Sequence, residues 1–212
     1  MVEYFTIFGE RCSGTNFLEK SIIKNFYLNL TWDYGWKHLW RFHNFKNSSL
    51  EDATIFIGIV RNPTSWIDSF FKNPHHIPQN KKINIKSFIE GEFTSIHQNK
   101  LIEKYNNIFE LRRIKNERLM NQMPKLVKNY ILIRYEDLNN DFDNVLTNIA
   151  KKFNLVFREK TIYRPLNYKG NEKAQLYSPK KVELSKDICQ KIIDSVDKDQ
   201  ERALGYGDIF QI

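Results

Sequence analysis

Residues Phe8–Lys20 read FGERCSGTNFLEK, and they follow a short apolar run, EYFTIF, at Glu3–Phe8. The run predicts a strand, the turn carrying Gly9 and Gly14 predicts a loop, and Phe17, Leu18, Ile22, Ile23 and Phe26 recur at helical spacing. Strand, glycine loop and a helix from about Asn16 to Tyr27 therefore follow one another. Such a loop points successive backbone N–H groups at one spot, and the helix N-terminus adds partial positive charge, so an oxyanion is the natural occupant. The glycine spacing matches a nucleotide phosphate loop, but Thr15 and Asn16 stand where that loop carries its lysine and its Mg²⁺-binding hydroxyl. That departure argues against a metal-dependent nucleotide hydrolase. Arg11 supplies a cation inside the loop, and Ser13 and Thr15 supply hydroxyl donors. A glycine pair can also do no more than make a tight strand-to-helix turn, and from this stretch alone both readings stay open.

Working outward, a second extended stretch runs from Leu28 to Trp32, and ATIFIGIV, ending at Val60, is a continuous apolar run rich in β-branched residues. Runs of that kind suit a strand buried on both faces of a parallel sheet. Pro63 stands where a first helical turn favours it and leads the helix TSWIDSFFK. Asn73 to Lys82 reads as an exposed loop, two or three helices are expected between Ile85 and Met123, and Tyr130 to Ile133 forms another strand. Asp137 or Asp141 then caps a helix reaching about Phe153; Thr161 to Lys181 is irregular and basic, and a last helix spans about Glu183 to Val196. The alternation predicts an α/β domain with a parallel sheet covered on both sides. No internal repeat or interdomain linker is visible, and 212 residues suit one domain, 1–212, with a sizeable core.

A second segment changes the weight of the glycine loop. In RNPTSWIDS, Arg61 emerges at the carboxyl end of a buried strand, the edge where open α/β sheets bind ligands, and Ser69 follows eight residues later in the next helix. Both could grip one anion. Taken together, SGTNF and RNP with a serine at plus eight resemble the sulfotransferase family that uses 3′-phosphoadenosine 5′-phosphosulfate (PAPS). SGTNF is similar to that family's 5′-phosphosulfate loop, and Arg61 with Ser69 to its 3′-phosphate site. RYEDL at Arg134–Leu138 and the ending DKDQERALGY are similar to further family elements, with Glu136 and Asp137 read as capping and buttressing a helix. The likeness spans Gly9 to Tyr206. It implies a three-layer, P-loop-like fold with about four to five parallel strands, PAPS as co-substrate and no metal.

The resemblance assigns donor contacts to Arg11, Cys12, Ser13, Gly14, Thr15, Asn16, Phe17, Arg61 and Ser69. Lys169 and Gly170 match the last two positions of a family Arg-Lys-Gly element, whose arginine is Tyr168 here. Cys12 stands where many members carry lysine, so Arg11 or another cation must serve the sulfonate. Phe17 matches an adenine-contacting aromatic, although its spacing with Leu18 and Ile22 equally suits the core, and Trp66 is ambiguous in the same way. WKH, at Trp36–His38, lies where soluble members carry a Lys/His pair, so His38 is the candidate base and Lys37 the candidate cation for the leaving group. Adjacent residues of a strand face opposite ways, so an irregular backbone is needed to bring both inward. Glu10 is an alternative base, or pairs with a lysine; His43, His75 and His76 read as surface or acceptor-contacting, and Arg112, Arg113 and Arg118 as a solvated charge run.

A net charge of +8 favours anionic partners without choosing among them. Two cysteines, Cys12 and Cys189, make no disulfide framework, no stretch is apolar enough to span a membrane, and no basic-then-apolar leader is visible, so a cytoplasmic protein without a membrane anchor is expected. The function read from these features is sulfonyl transfer from PAPS to the hydroxyl of a small-molecule or glycan acceptor, with no nucleic-acid partner. The alternatives are a kinase-like phosphotransferase and a non-catalytic anion or nucleic-acid binder. Acceptor and oligomeric state stay open.

Overall fold

In the computed structural model, which describes residues 2–38, 48–78, 84–97, 101–166 and 181–211, four parallel strands form one sheet in the order β2-β1-β3-β6. They are β1 (Tyr4–Phe8), β2 (Asn29–Leu30), β3 (Thr54–Val60) and β6 (Tyr130–Arg134). Every residue of β3 is buried, as its unbroken apolar run requires of a central parallel strand. Register places Phe5 beside Ile55 and Phe8 beside Gly58, and Val60 beside Arg134, so β1, β3 and β6 end near one another at the carboxyl edge. The protein is an α/β fold with helices on both faces of a parallel sheet.

Period-two alternation along β3 sorts the core. Ile55, Ile57 and Ile59 face one layer, where they meet Leu18 and Ile22 of α1 (Thr15–Asn25), Phe26 just after it, and Leu146 and Ile149 of α8 (Phe142–Phe153). Phe56 and Val60 face the other, against Leu119, Met123 and Tyr206. A third apolar cluster joins Trp66 and Phe70 of α3 (Pro63–Lys72) to Ile108 and Leu111 of α5 (Ile108–Glu117) and to Ile192 of α9 (Lys186–Ser195). Short helices complete the described residues: α2 (Ser48–Asp52), α4 (Ile85–Glu90), α6 (Met123–Leu126), α7 (Tyr135–Asn140) and α10 (Lys198–Ala203). None of the described helices is long and apolar enough to cross a membrane.

Several expectations are corrected. The stretch expected to hold only helices also carries an antiparallel hairpin, β4 (Phe93–Ile96) paired with β5 (Ile102–Tyr105). The extended stretch expected over Leu28 to Trp32 forms a strand only at Asn29 and Leu30, with Thr31 N also donating to Phe5 O at 2.9 Å. Asp141 stands at the N-cap position of the helix that ends at Phe153, as expected, but its side chain makes no cap bond; Asp137 pairs with Arg134, and the segment divides into α7 and α8. Beyond Glu117 the helix continues as one π-helical turn, Arg118–Gln122, where Leu119 O accepts the Tyr130 hydroxyl at 2.7 Å.

Candidate active site

The loop between β1 and α1 is held from both sides. A Cβ on Gly9 would lie 2.5 Å from Ile59 Cγ2 and 2.9 Å from Ile59 O, so only glycine lets the chain leave β1 this close to β3. Gly14 caps α1 in a left-handed conformation, φ 91°, pressed on the Tyr135 ring. No side chain caps α1 and no acidic residue enters its first turn, whereas the Asn62, Asn84, Asn107, Ser185 and Asp197 side chains cap α3, α4, α5, α9 and α10. The start of α1 thus carries the positive end of the helix dipole with no side-chain cap.

Arg61 leaves the end of β3 and turns onto this loop. Its Nη1 donates to Cys12 O at 2.9 Å, its Nε to Ser65 Oγ at 3.1 Å, and its guanidinium lies 4.5 Å from the Tyr135 ring centre. From the other side, Ser69 on α3 places its carbonyl 3.7 Å from Cys12 Sγ. The Arg61 guanidinium and the backbone carbonyl of Ser69 thus both lie against Cys12 of the glycine loop. Cys12 itself is left-handed, φ 64°, and burial pushes its thiol up, so it contributes no charge at neutral pH. The turn after β3 is braced from two distant segments: Glu136 Oε1 accepts Asn62 N at 3.0 Å and Glu136 Oε2 accepts the Tyr206 hydroxyl at 2.8 Å. This is the buttressing role expected of Glu136.

WKH follows β2 in irregular backbone, and its two polar side chains diverge to useful ends. Lys37 Nζ reaches the first turns of α1, donating to Asn16 Oδ1 at 2.5 Å and Glu19 Oε2 at 2.9 Å. Its carbonyl accepts Gly9 N at 3.1 Å. His38 Nδ1 lies 2.6 Å from Gly9 O. A carbonyl oxygen only accepts, so Nδ1 carries the proton and Nε2 keeps the lone pair that a base needs. Burial lowers the imidazole pKa to about 3, against an opposing pull from the Glu10 carboxylate and the Gly9 carbonyl, so the ring is neutral near pH 7. Trp36 packs edge-on against His38, His76 and His97, with centres 4.9, 4.8 and 5.8 Å apart.

One titration consequence is testable. Below its ordinary value of 6.5 the unfolded chain protonates His38, while the folded chain does so only near 3, so the unfolded state binds more protons in that window. Stability should fall as pH drops from about 6.5 toward 3, and chemical unfolding across that range should show a flatter curve for His38→Asn.

Arg11 does not aim into the loop. Its guanidinium is buried between Phe70 and the β4–β5 hairpin, with Nε on Glu10 Oε1 at 2.6 Å, Nη1 3.0 Å from the carbonyls of His75 and His76, and Nη2 on Ser95 Oγ at 2.9 Å. Glu10 pairs on its other oxygen with Lys115. Although burial opposes it, Arg11 and Lys115 hold this carboxyl well below the usual range, which makes Glu10 a poor proton acceptor. Phe17 and Trp66 are core residues, each 1% exposed, and Trp66 Nε1 donates to Arg11 O at 2.8 Å. Lys169, Gly170 and His43 lie outside the described residues. Arg112, read as part of a solvated run, is buried instead, because Glu201 of α10 receives it.

Fold and site together define an α/β protein whose carboxyl sheet edge gathers an uncapped helix start, an arginine, a lysine and a neutral histidine. No family model matches the chain, and no curated protein matches it. Among solved structures it is similar to mouse sulfotransferase SULT7A1 complexed with PAP, at 15% identity and a TM-score of 0.44. That alignment covers 95% of this chain, which spans 66% of the other's length.

Proposed function

We propose that this protein transfers a sulfonyl group from PAPS to an acceptor hydroxyl, releasing adenosine 3′,5′-bisphosphate. The observation that carries the reading is the convergence of Arg61, the Gly9–Gly14 loop and Lys37 on the uncapped start of α1. That donor set fits an anion with charge at two places: loop and helix N–H groups with Lys37 at one, Arg61 and Ser69 at the other. His38 Nε2 takes the acceptor's proton as the acceptor oxygen forms its bond to sulfur. The bond from sulfur to the bridging phosphate oxygen breaks, and Lys37 with the helix start meets the charge growing there. Arg11 has no part in this, because Glu10, Ser95 and two carbonyls occupy it. The acceptor is a small molecule or a glycan, and the chemistry runs without a metal.

Calorimetry with adenosine 3′,5′-bisphosphate tests the reading: binding independent of Mg²⁺ supports it. Binding of ATP that requires Mg²⁺ would point to a phosphotransferase, and strongly salt-dependent oligonucleotide binding to a nucleic-acid binder. Arg61→Ala should weaken product binding by about 1.5–3 kcal/mol, the scale of a charged hydrogen bond. Unchanged affinity would remove Arg61 from the site.

A further inference from the structure

The groups beneath the loop form a second arrangement that the transfer chemistry above leaves without a role. Lys115 enters from α5, 2% exposed at its side chain, and its ammonium does two things at once. It pairs with Glu10 Oε2 of the loop and donates to His38 O at 2.9 Å. Glu10 in turn is fixed by the backbone N–H of Arg11 at 2.7 Å and by its guanidinium at 2.6 Å. The ammonium thus bridges the first turn after β1 and the segment carrying the histidine. Gly9 N to Lys37 O and His38 Nδ1 to Gly9 O join the same two pieces of chain.

Burying a charged pair is expensive, and apolar residues of similar volume would serve packing alone as well or better. A lysine stem also loses more rotamer freedom on burial than leucine does. The arrangement makes sense if direction matters more than burial: an ammonium has donors for both a carboxylate and a carbonyl, and no apolar side chain can hold a backbone oxygen in place. With its carbonyl held, the His38 backbone stays beside Gly9, and the imidazole keeps the tautomer with the proton on Nδ1 and the lone pair on Nε2.

We propose that Lys115 and Glu10 are positioning residues, a buried clamp that fixes the orientation and tautomer of His38 against the loop for proton transfer; the catalytic half of this statement rests on the transferase reading above. Lys115 holds Glu10 and the His38 carbonyl. Its effect reaches the reaction through His38, where a displacement of about 1 Å is enough to lower turnover about 100-fold.

The test is ¹⁵N-imidazole NMR of His38 in the full chain, with Lys115→Met beside the wild type and thermal melting as a check on folding. The wild type should show a single Nδ1–H tautomer. Lys115→Met should show a mixture, with kcat lowered about 10- to 100-fold and the Kd for adenosine 3′,5′-bisphosphate changed by less than about 3-fold. Lys115→Leu, which likewise offers no donor to the His38 carbonyl, replaces it if the methionine variant does not fold, and should show the same mixture. A variant that folds and keeps the single tautomer overturns the proposal whatever its turnover. A wild type inert with PAPS would instead sink the transferase reading, while the tautomer would still decide whether the clamp exists.

Discussion

Replacing His38 with alanine should lower turnover by about 10²- to 10⁴-fold while leaving the affinity for adenosine 3′,5′-bisphosphate nearly intact. The ring is anchored on Gly9 O at the root of the loop, so its loss removes a proton acceptor without removing Arg61, Lys37 or the start of α1. Alanine also deletes the bond to Gly9, worth about 1 kcal/mol, and that structural loss must be separated from the chemical one. His38→Asn does so. An asparagine amide can still donate to Gly9 O from roughly where Nδ1 stood, yet it has no basic nitrogen, so this variant should fold like the wild type and be as slow as alanine. An asparagine variant with wild-type turnover would place the base elsewhere.

The low basicity of the free ring sharpens the expectation. A conjugate acid near 3 is a weak base, but that value belongs to the protein before a doubly anionic donor arrives beside it. Added negative charge favours the imidazolium and raises the pKa on binding. The acid limb of kcat, which reports the bound complex, should therefore lie at higher pH than the acid limb of kcat/KM, which reports the free protein. Coincident limbs would mean that the donor's charge does not sense His38.

The parts of this arrangement that a reader of the sequence could find are those written in short-range pattern. The run before Gly9 gives β1, the buried seven-residue run before Arg61 gives β3, Pro63 behind Asn62 gives the start of α3, and the site lies where the two strands end. The hairpin escaped because its alternation is short and half polar: Phe93 and Ser95 point inward, and Ser95 is there for Arg11, 84 residues away. Arg11's direction could not be read for the same reason. Lys115 left a trace that was missed. It falls on one stripe with Ile108 and Leu111 of α5 and Leu119 of the π-helical turn beyond it, at spacings of three and four, all three apolar and buried. A charged residue on such a stripe must have a buried partner, but only the fold reveals that the partner is Glu10.

Arg112→Ala should destabilise the fold by about 3–5 kcal/mol, a large part of the 5–15 kcal/mol typical of a whole domain. Arg112 Nε and Nη2 bind the two oxygens of Glu201 at 2.5 and 2.8 Å, with side chains 5% and 1% exposed, and truncation strands the Glu201 carboxylate in the core. Denaturant unfolding would read the loss directly, and a change below about 1 kcal/mol would contradict the burial of the pair. Removing both charges should behave differently. Arg112→Met with Glu201→Leu leaves no unpaired ion and should recover most of the stability, because an apolar pair of similar volume often equals or exceeds a buried ion pair. It cannot restore one contact: Arg112 Nη2 also donates to Arg61 O at 2.9 Å, where β3 gives way to the loop. The double variant should therefore fold well and still bind adenosine 3′,5′-bisphosphate more weakly than the wild type, since Arg61 would keep its charge but lose the anchor that sets its backbone. Full recovery of both stability and affinity would mean that the guanidinium of Arg112 serves the core alone.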